Sequence, residues 1–144
     1  MQAALQQFRQ RGITTVLHPG DIVAPFAAKV LAAWDGTLHV TYGNNDGERK
    51  GLKQVLPQIQ DGPLPLHLGG RRILLHHALE WCQPQDIAAA DIIVTGHTHA
   101  PGSEHRDGRV FVNPGECCGW VTGRATAAVI ELDTCEAELI EVPT

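Results

Sequence analysis

Apolar residues recur along this chain at two spacings, and the switches between them divide it into elements. Leu5 and Phe8 fall on one side of a helix predicted over residues 2–11, which Gly12 ends. Residues 13–18 (Ile-Thr-Thr-Val-Leu-His) are rich in β-branched side chains and predict a buried strand. Phe26, Val30, Leu31 and Trp34 share one face of a second helix over 24–34, stopped near Gly36, and residues 37–42 predict the next strand. A short helix over 49–56 is closed by Pro57, and residues 58–65 have the glycine, prolines and aspartate of a connecting loop. Strands over 64–68 and 71–76 flank Gly69-Gly70, a hairpin signal. Residues 84–90 then predict a helix and 91–95 a strand. Three more strands follow, over 109–112, 125–132 and 137–142, the last two joined by Asp133-Thr134-Cys135. Helix and strand alternation with a β-rich end argues for a mixed α/β sandwich. The chain opens on a helix feeding a strand, whereas an alternating α/β unit usually opens on a strand.

Size and charge narrow the picture. The 144 residues, 43% of them hydrophobic, suit one domain over 1–144 with one sizeable core. Eleven Lys and Arg against sixteen Asp and Glu give a net charge of −5 with no long basic run. A surface that neutralises many phosphates is therefore not expected, and neither is general nucleic-acid binding. A small phosphorylated substrate stays compatible, because a bound metal reverses the local field. Cys82, Cys117, Cys118 and Cys135 show no Cys-x-x-Cys pair and no disulfide-scaffold spacing, so reduced thiols are expected. No apolar stretch approaches the roughly 20 residues of a membrane span, and residues 1–11 hold no signal-peptide core. The expectation is a soluble cytoplasmic protein without membrane contact.

Four predicted strands each end on a possible metal ligand: Asp21 in His18-Pro19-Gly20-Asp21, Asn44 in Gly43-Asn44-Asn45-Asp46, His76 in His76-His77, and the pair in Gly96-His97-Thr98-His99. Sites in α/β proteins form outside the carboxyl ends of strands, so residues distant in sequence converge there. His97 and His99 are two apart; extended or loop backbone points both imidazoles the same way, whereas a helix would spread them by about 200°. Each motif alone has an ordinary reading as a tight turn or a packed histidine. All four in this order point to a metal-dependent hydrolase. Imidazoles with a carboxylate and an amide oxygen suit Mn, Fe, Ni, Co or Zn better than Ca or Mg. Manganese is the working expectation.

These motifs resemble the calcineurin-like metallophosphoesterases, in particular their small single-domain bacterial and archaeal phosphodiesterases. Asn113-Pro114-Gly115-Glu116-Cys117-Cys118-Gly119 is similar to the segment that follows in those members, and the resemblance runs from about Leu5 to Glu131. It implies a four-layer αββα sandwich of two mixed sheets and a two-metal site. Carried over by position, Asp21 would bridge both metals, Asn44, His76 and His97 would complete one site, and His99 would serve the other. The implied reaction is hydrolysis of a phosphodiester or related ester by a hydroxide held between metals about 3.5–4 Å apart. Association into a homodimer or larger oligomer is also implied.

Three departures qualify the transfer. The family begins with a strand ending in Asp-x-His, which adds two ligands to the metal that His99 serves; no Asp-x-His stands upstream of Asp21 here. The first strand is thus expected to be missing, by truncation or by an internal start. One metal should then bind better than two, with reduced activity. The second departure is Asn45, where many relatives carry a proton-donating histidine. General-acid help worth roughly 10²- to 10⁴-fold would be absent, favouring good leaving groups. Asn45 and Asp46 remain the candidate catalytic residues, Asp46 by orienting a ligand or Asn45. The third is His77, where relatives commonly have glycine; it is read as an outward side chain rather than a ligand or proton donor. The rival function is a non-catalytic scaffold of the same fold acting through protein contacts, as a retromer subunit does. A structural zinc protein is more remote, because Asp and Asn with an open position suit catalysis.

Overall fold

In the computed structural model, which describes residues 1–144, a parallel strand pair lies at the start of the fold. It comprises β1 (Thr15–His18) and β2 (Thr37–Val40), joined by helix α2 (Pro25–Ala32). Pro25 occupies the first turn of α2, where its missing N–H costs no hydrogen bond. Helix α1 (Gln2–Gln10) precedes the pair and α3 (Arg49–Val55) follows it. Leu5, Leu31, Trp34 and Leu52 from these helical segments bury Val16, Leu38 and Val40 on one side of the pair.

The second sheet starts with the hairpin of β3 (Leu64–Leu68) and β4 (Arg71–Leu75). Gly69 and Gly70 turn it with φ of 53° and 75°, both in the left-handed region that a two-residue primed turn requires. β5 (Ile92–Val94) and β7 (Arg109–Asn113) add in parallel, and β6 (Gly102–Arg106) closes the far edge antiparallel to β7, giving the order β3-β4-β5-β7-β6. Side chains alternate across this sheet. Ile73, Leu75, Ile92, Val94, Val110 and Val112 pack against Leu17 of β1 and against Ala128 and Ile130 of β8 (Thr126–Glu131). Leu74 and Ile93, on the opposite face, are covered by Cys82, Ile87 and Ala90 around α4 (Pro84–Ala88). β8 pairs antiparallel with β9 (Glu136–Glu141), and Ala127 and Ile140 pack under Ala4 of α1. The layers therefore run helix, sheet, sheet, helix, which is the four-layer αββα sandwich. No helix is long and apolar enough to cross a membrane.

Two features depart from the sequence reading. β6 was not anticipated: its Gly-Ser-Glu-His-Arg forms a sheet edge whose residues are mostly exposed, so it carries no apolar alternation. The outer layer is also split. β1 pairs only with β2, and β8 only with β9. The remaining long edges of β1 and β8 border one largely apolar cavity of about 720 Å³, which every residue of both strands lines. At one end the cavity reaches Asp21, His97, His99 and Glu116.

Candidate metal centre

Parallel pairing of β1 with β2 and of β4 with β5 brings the carboxyl ends of these strands to one rim of the sandwich. After β1 and β2 the loops nearly touch. A Cβ on Gly20 would run into the Gly43 backbone, and one on Gly43 would overlap the Asp21 carboxylate. Asp46, 4% exposed, fastens the two loops together. Its carboxylate accepts the Gly43 N–H (2.7 Å), the Asp21 N–H (2.9 Å) and the Val23 N–H (2.7 Å). Asp21 and Val23 have φ of 59° and 75°, conformations that cost of order 1–3 kcal/mol each outside glycine and persist only where the surroundings dictate them. Asp46 supplies that constraint. Asn45 adds to it by donating its backbone N–H to Asp21 Oδ1 (2.8 Å) and its amide N–H to Asp21 Oδ2 (2.9 Å).

Four donor atoms converge above these loops. Asn44 Oδ1 lies 2.7 Å from His77 Nε2 and 3.0 Å from His97 Nδ1. The two imidazole nitrogens are 3.2 Å apart, and Asp21 Oδ2 is 3.5 Å from His77 Nε2. Ligands bound at about 2.0–2.2 Å around one ion are spaced at such separations. The outer nitrogen of each ring is also engaged. His77 Nδ1 is 2.8 Å from the Pro19 carbonyl, which takes an N–H and, in the neutral ring, turns the Nε2 lone pair inward. His97 Nε2 faces the exposed Glu80 Oε1 at 3.5 Å. The Nε2 lone pair of His77 and an Asn44 oxygen lone pair then face each other at 2.7 Å, an arrangement that a cation between them resolves. No group of three Asp, Glu, His or Cys side chains encloses an ion by itself, so the fit rests on the Asn44 amide oxygen at the middle of the set. With that oxygen counted, the donors suit a divalent metal, and the bond from His77 Nδ1 to the Pro19 carbonyl is of the kind that orients a ligating histidine.

His76 is corrected by the structure. Along β4 the side chains alternate: Ile73 and Leu75 face β1, Leu74 faces α4, and the alternation continues into His76 and His77. His76 therefore turns away. Its Nδ1 accepts the His77 N–H (2.9 Å), its ring meets Trp81 edge-on at 5.7 Å, and a Cβ on Gly62 would collide with it. Burial, then the neighbouring His77, lowers the pKa of His76. His77, expected to point outward, is instead 1% exposed and occupies the place predicted for His76. The counting parity of β4 held that information, since the ligand must share the face of Ile73 and Leu75 that looks toward β1.

Other expected residues fall as follows. Asp21, Asn44 and His97 come together. His99 borders the same cavity but does not touch the four donors; its Nδ1 meets Glu116 Oε2 at 3.1 Å. Asp46 orients the Asp21 loop from beneath rather than meeting a substrate, so it is a positioning residue. Asn45 is exposed beside Asp21, at the rim. Glu80 had no sequence signal because it belongs to no motif, and the Pro19 carbonyl, although inside His18-Pro19-Gly20-Asp21, had none because a backbone acceptor is the same for any residue. Trp81, half-exposed at 41%, leans on His77 and His97 with ring centroids at 5.3 and 5.8 Å.

Comparison with known proteins bears on this arrangement. The model of the calcineurin-like phosphoesterase superfamily domain matches residues 1–135. A phosphodiesterase of Methanocaldococcus jannaschii is 32% identical over 150 residues, spanning 99% of this chain and 89% of that protein. The solved structure of an archaeal phosphodiesterase superposes with a TM-score of 0.84 at 29% identity, covering 96% of this chain and 89% of that one. A single mutant of Vps29 from Entamoeba histolytica superposes at 0.70 with 20% identity over 99% and 90% of the two chains, a likeness of fold alone. The matched family implies use of a divalent metal, in agreement with the donor set at the strand ends. The chain belongs to the calcineurin-like phosphoesterase superfamily.

Proposed function

We propose that this chain hydrolyses phosphoesters, phosphodiesters first, with a divalent metal held by Asp21, Asn44, His77 and His97. The observation that carries the reading is the inward convergence of His77 Nε2 and His97 Nδ1 on Asn44 Oδ1. Manganese is the proposed ion, since two imidazoles mixed with carboxylate and amide oxygens suit it; Ni, Fe, Co and Zn are the alternatives. When bound, the metal supplies a Lewis acid and a water of lowered pKa. The chain's own residues do the rest. Asn45 keeps the Asp21 carboxylate turned toward the donors and presents its amide to a phosphoryl oxygen. Lacking a titratable proton, Asn45 leaves the departing alkoxide unprotonated, so good leaving groups are favoured. The acidic chain, at −5, suits a small phosphorylated substrate rather than a nucleic-acid duplex.

His99 and the shared Asp21 form a second half-site poorer in ligands, so one metal should bind tightly and a second weakly, with slower turnover than a two-metal centre supports. Calorimetric titration with Mn²⁺, alongside hydrolysis of bis(p-nitrophenyl) phosphate, tests both statements. Two equally tight ions would contradict the unequal sites. Absence of metal-dependent turnover would favour the scaffold reading, to which the exposed Phe26 (78%), Trp120 (90%) and Val121 (67%) lend support. Self-association through the uncovered strand edges belongs to the same proposal. A monodisperse monomer in light scattering would remove it.

A further inference from the structure

Glu116 is a buried carboxylate, 7% exposed, with more donors around it than the packing of a loop needs. Its Oε1 accepts the Thr122 N–H (2.5 Å), the Thr122 hydroxyl (2.7 Å) and the Val121 N–H (2.9 Å). Its Oε2 lies 3.1 Å from His99 Nδ1, also takes a longer contact from the Val121 N–H (3.1 Å), and has the Cys118 thiol at 3.8 Å. Glu116 itself is fixed from behind: its carbonyl accepts the Thr126 N–H (2.9 Å) at the start of β8. The neighbouring Gly115, at φ 77°, admits no side chain, because a Cβ would strike the Thr126 hydroxyl.

This environment dictates the state of the carboxylate. The Thr122 N–H and hydroxyl and the Val121 N–H all point at its oxygens, so it is held as an acceptor. A carboxylate held in that way only accepts. The atom facing it on His99 is therefore an N–H, and in the neutral ring the lone pair falls on Nε2. His99 needs such a constraint, since its backbone lies at φ 60° and its side chain is otherwise held by nothing polar.

We infer that Glu116 is a positioning residue that locks His99 in the Nδ1–H tautomer, so that Nε2 is the nitrogen offered to a ligand, and that it couples this choice to the 117–122 loop. The metal reading above supplies only the identity of what Nε2 would hold. The tautomer is a property of the metal-free chain.

A glutamine at this position makes the inference sharp. Three donors crowd Oε1, so the amide oxygen of E116Q must go there and the NH₂ must face His99. His99 Nδ1 then becomes the acceptor, Nε2 acquires the proton, and the ring can no longer ligate through it.

The test is long-range ¹H–¹⁵N correlation of the histidine rings in the metal-free protein, for wild type, E116Q and T122V. Wild type should show His99 protonated at Nδ1, E116Q should invert it, and T122V should loosen the loop while leaving the tautomer unchanged. Mn²⁺ titration should show the weaker site lost by roughly 10- to 100-fold in E116Q, the range for removing a group that orients a ligand, with the tighter site unaffected. A wild-type His99 protonated at Nε2 overturns the inference whatever the variants do, including a variant that fails to fold. An E116Q protein that keeps the Nδ1–H form also overturns it. Inversion of the tautomer in a protein with no phosphoesterase activity would sustain this inference and defeat the proposed function.

Discussion

At the scale of single residues, the centre turns on which of two adjacent histidines faces inward. His77 and His76 are chemically identical and differ only in parity along β4, yet one is set among Asp21, Asn44 and His97 while the other packs beside Trp81. Replacing His77 with alanine should lower metal affinity by more than about 100-fold, beyond the cost of losing an orienting group. His76→Ala should leave affinity intact and reduce only thermal stability, through lost contact with Trp81. Equal metal loss in both variants, measured by calorimetry, would refute this assignment. The sequence made Asp21, Asn44 and the Gly-His-Thr-His pair legible because each is flanked by glycines that force a turn at a strand end. It misled at His76-His77 because no glycine punctuates that end, and only the alternation of Ile73, Leu74 and Leu75 identifies the inner position.

At the scale of elements, two loops from β1 and β2 behave as one unit. Asp46 receives three backbone N–H groups from them, and an unsatisfied buried donor costs about 1–3 kcal/mol. Asp46→Ala should therefore lower the melting temperature by far more than a surface substitution and weaken metal binding through a freed Asp21. Asp46→Asn, which keeps one oxygen, should fall between. An alanine variant with wild-type melting and metal affinity would show that the loops hold without it. Most elements were readable from periodicity, with ends shifted by one or two residues. The exception, β6, lacks any apolar residue, but Asp107-Gly108 after it carries φ of 52° and 72°, the primed turn that such a pair favours. That dipeptide was the available signal. Hydrophobic alternation was blind to β6 because an edge strand exposed to solvent has no buried face to advertise.

At the scale of the whole molecule, the layer order follows from the pattern, but the division of the outer layer into two strand pairs does not, since pairing partners leave no mark on an individual strand. His18, at the end of β1, borders the space between those pairs. Burial is the main cause that lowers its pKa to about 4, with the Asp46 and Asp21 carboxylates opposing and His77 assisting. Folded His18 is therefore neutral where the unfolded residue, near 6.5, takes up a proton. Stability should be full above pH 6.5 and fall as pH drops toward 4, with a slope of up to roughly 1.4 kcal/mol per pH unit from this group. His18→Gln should flatten that segment of the profile in denaturant melts of the metal-free protein; an unchanged slope would exclude His18 as its source.

The cavity of about 720 Å³ between β1 and β8 has a mechanical consequence. It opens to solvent, so water reaches it in the folded state and unfolding eliminates little empty space there. Under hydrostatic pressure this protein should therefore unfold with a volume change toward the small end of the usual range, about −20 mL/mol. A value near about −100 mL/mol would mean that the gap is sealed and dry.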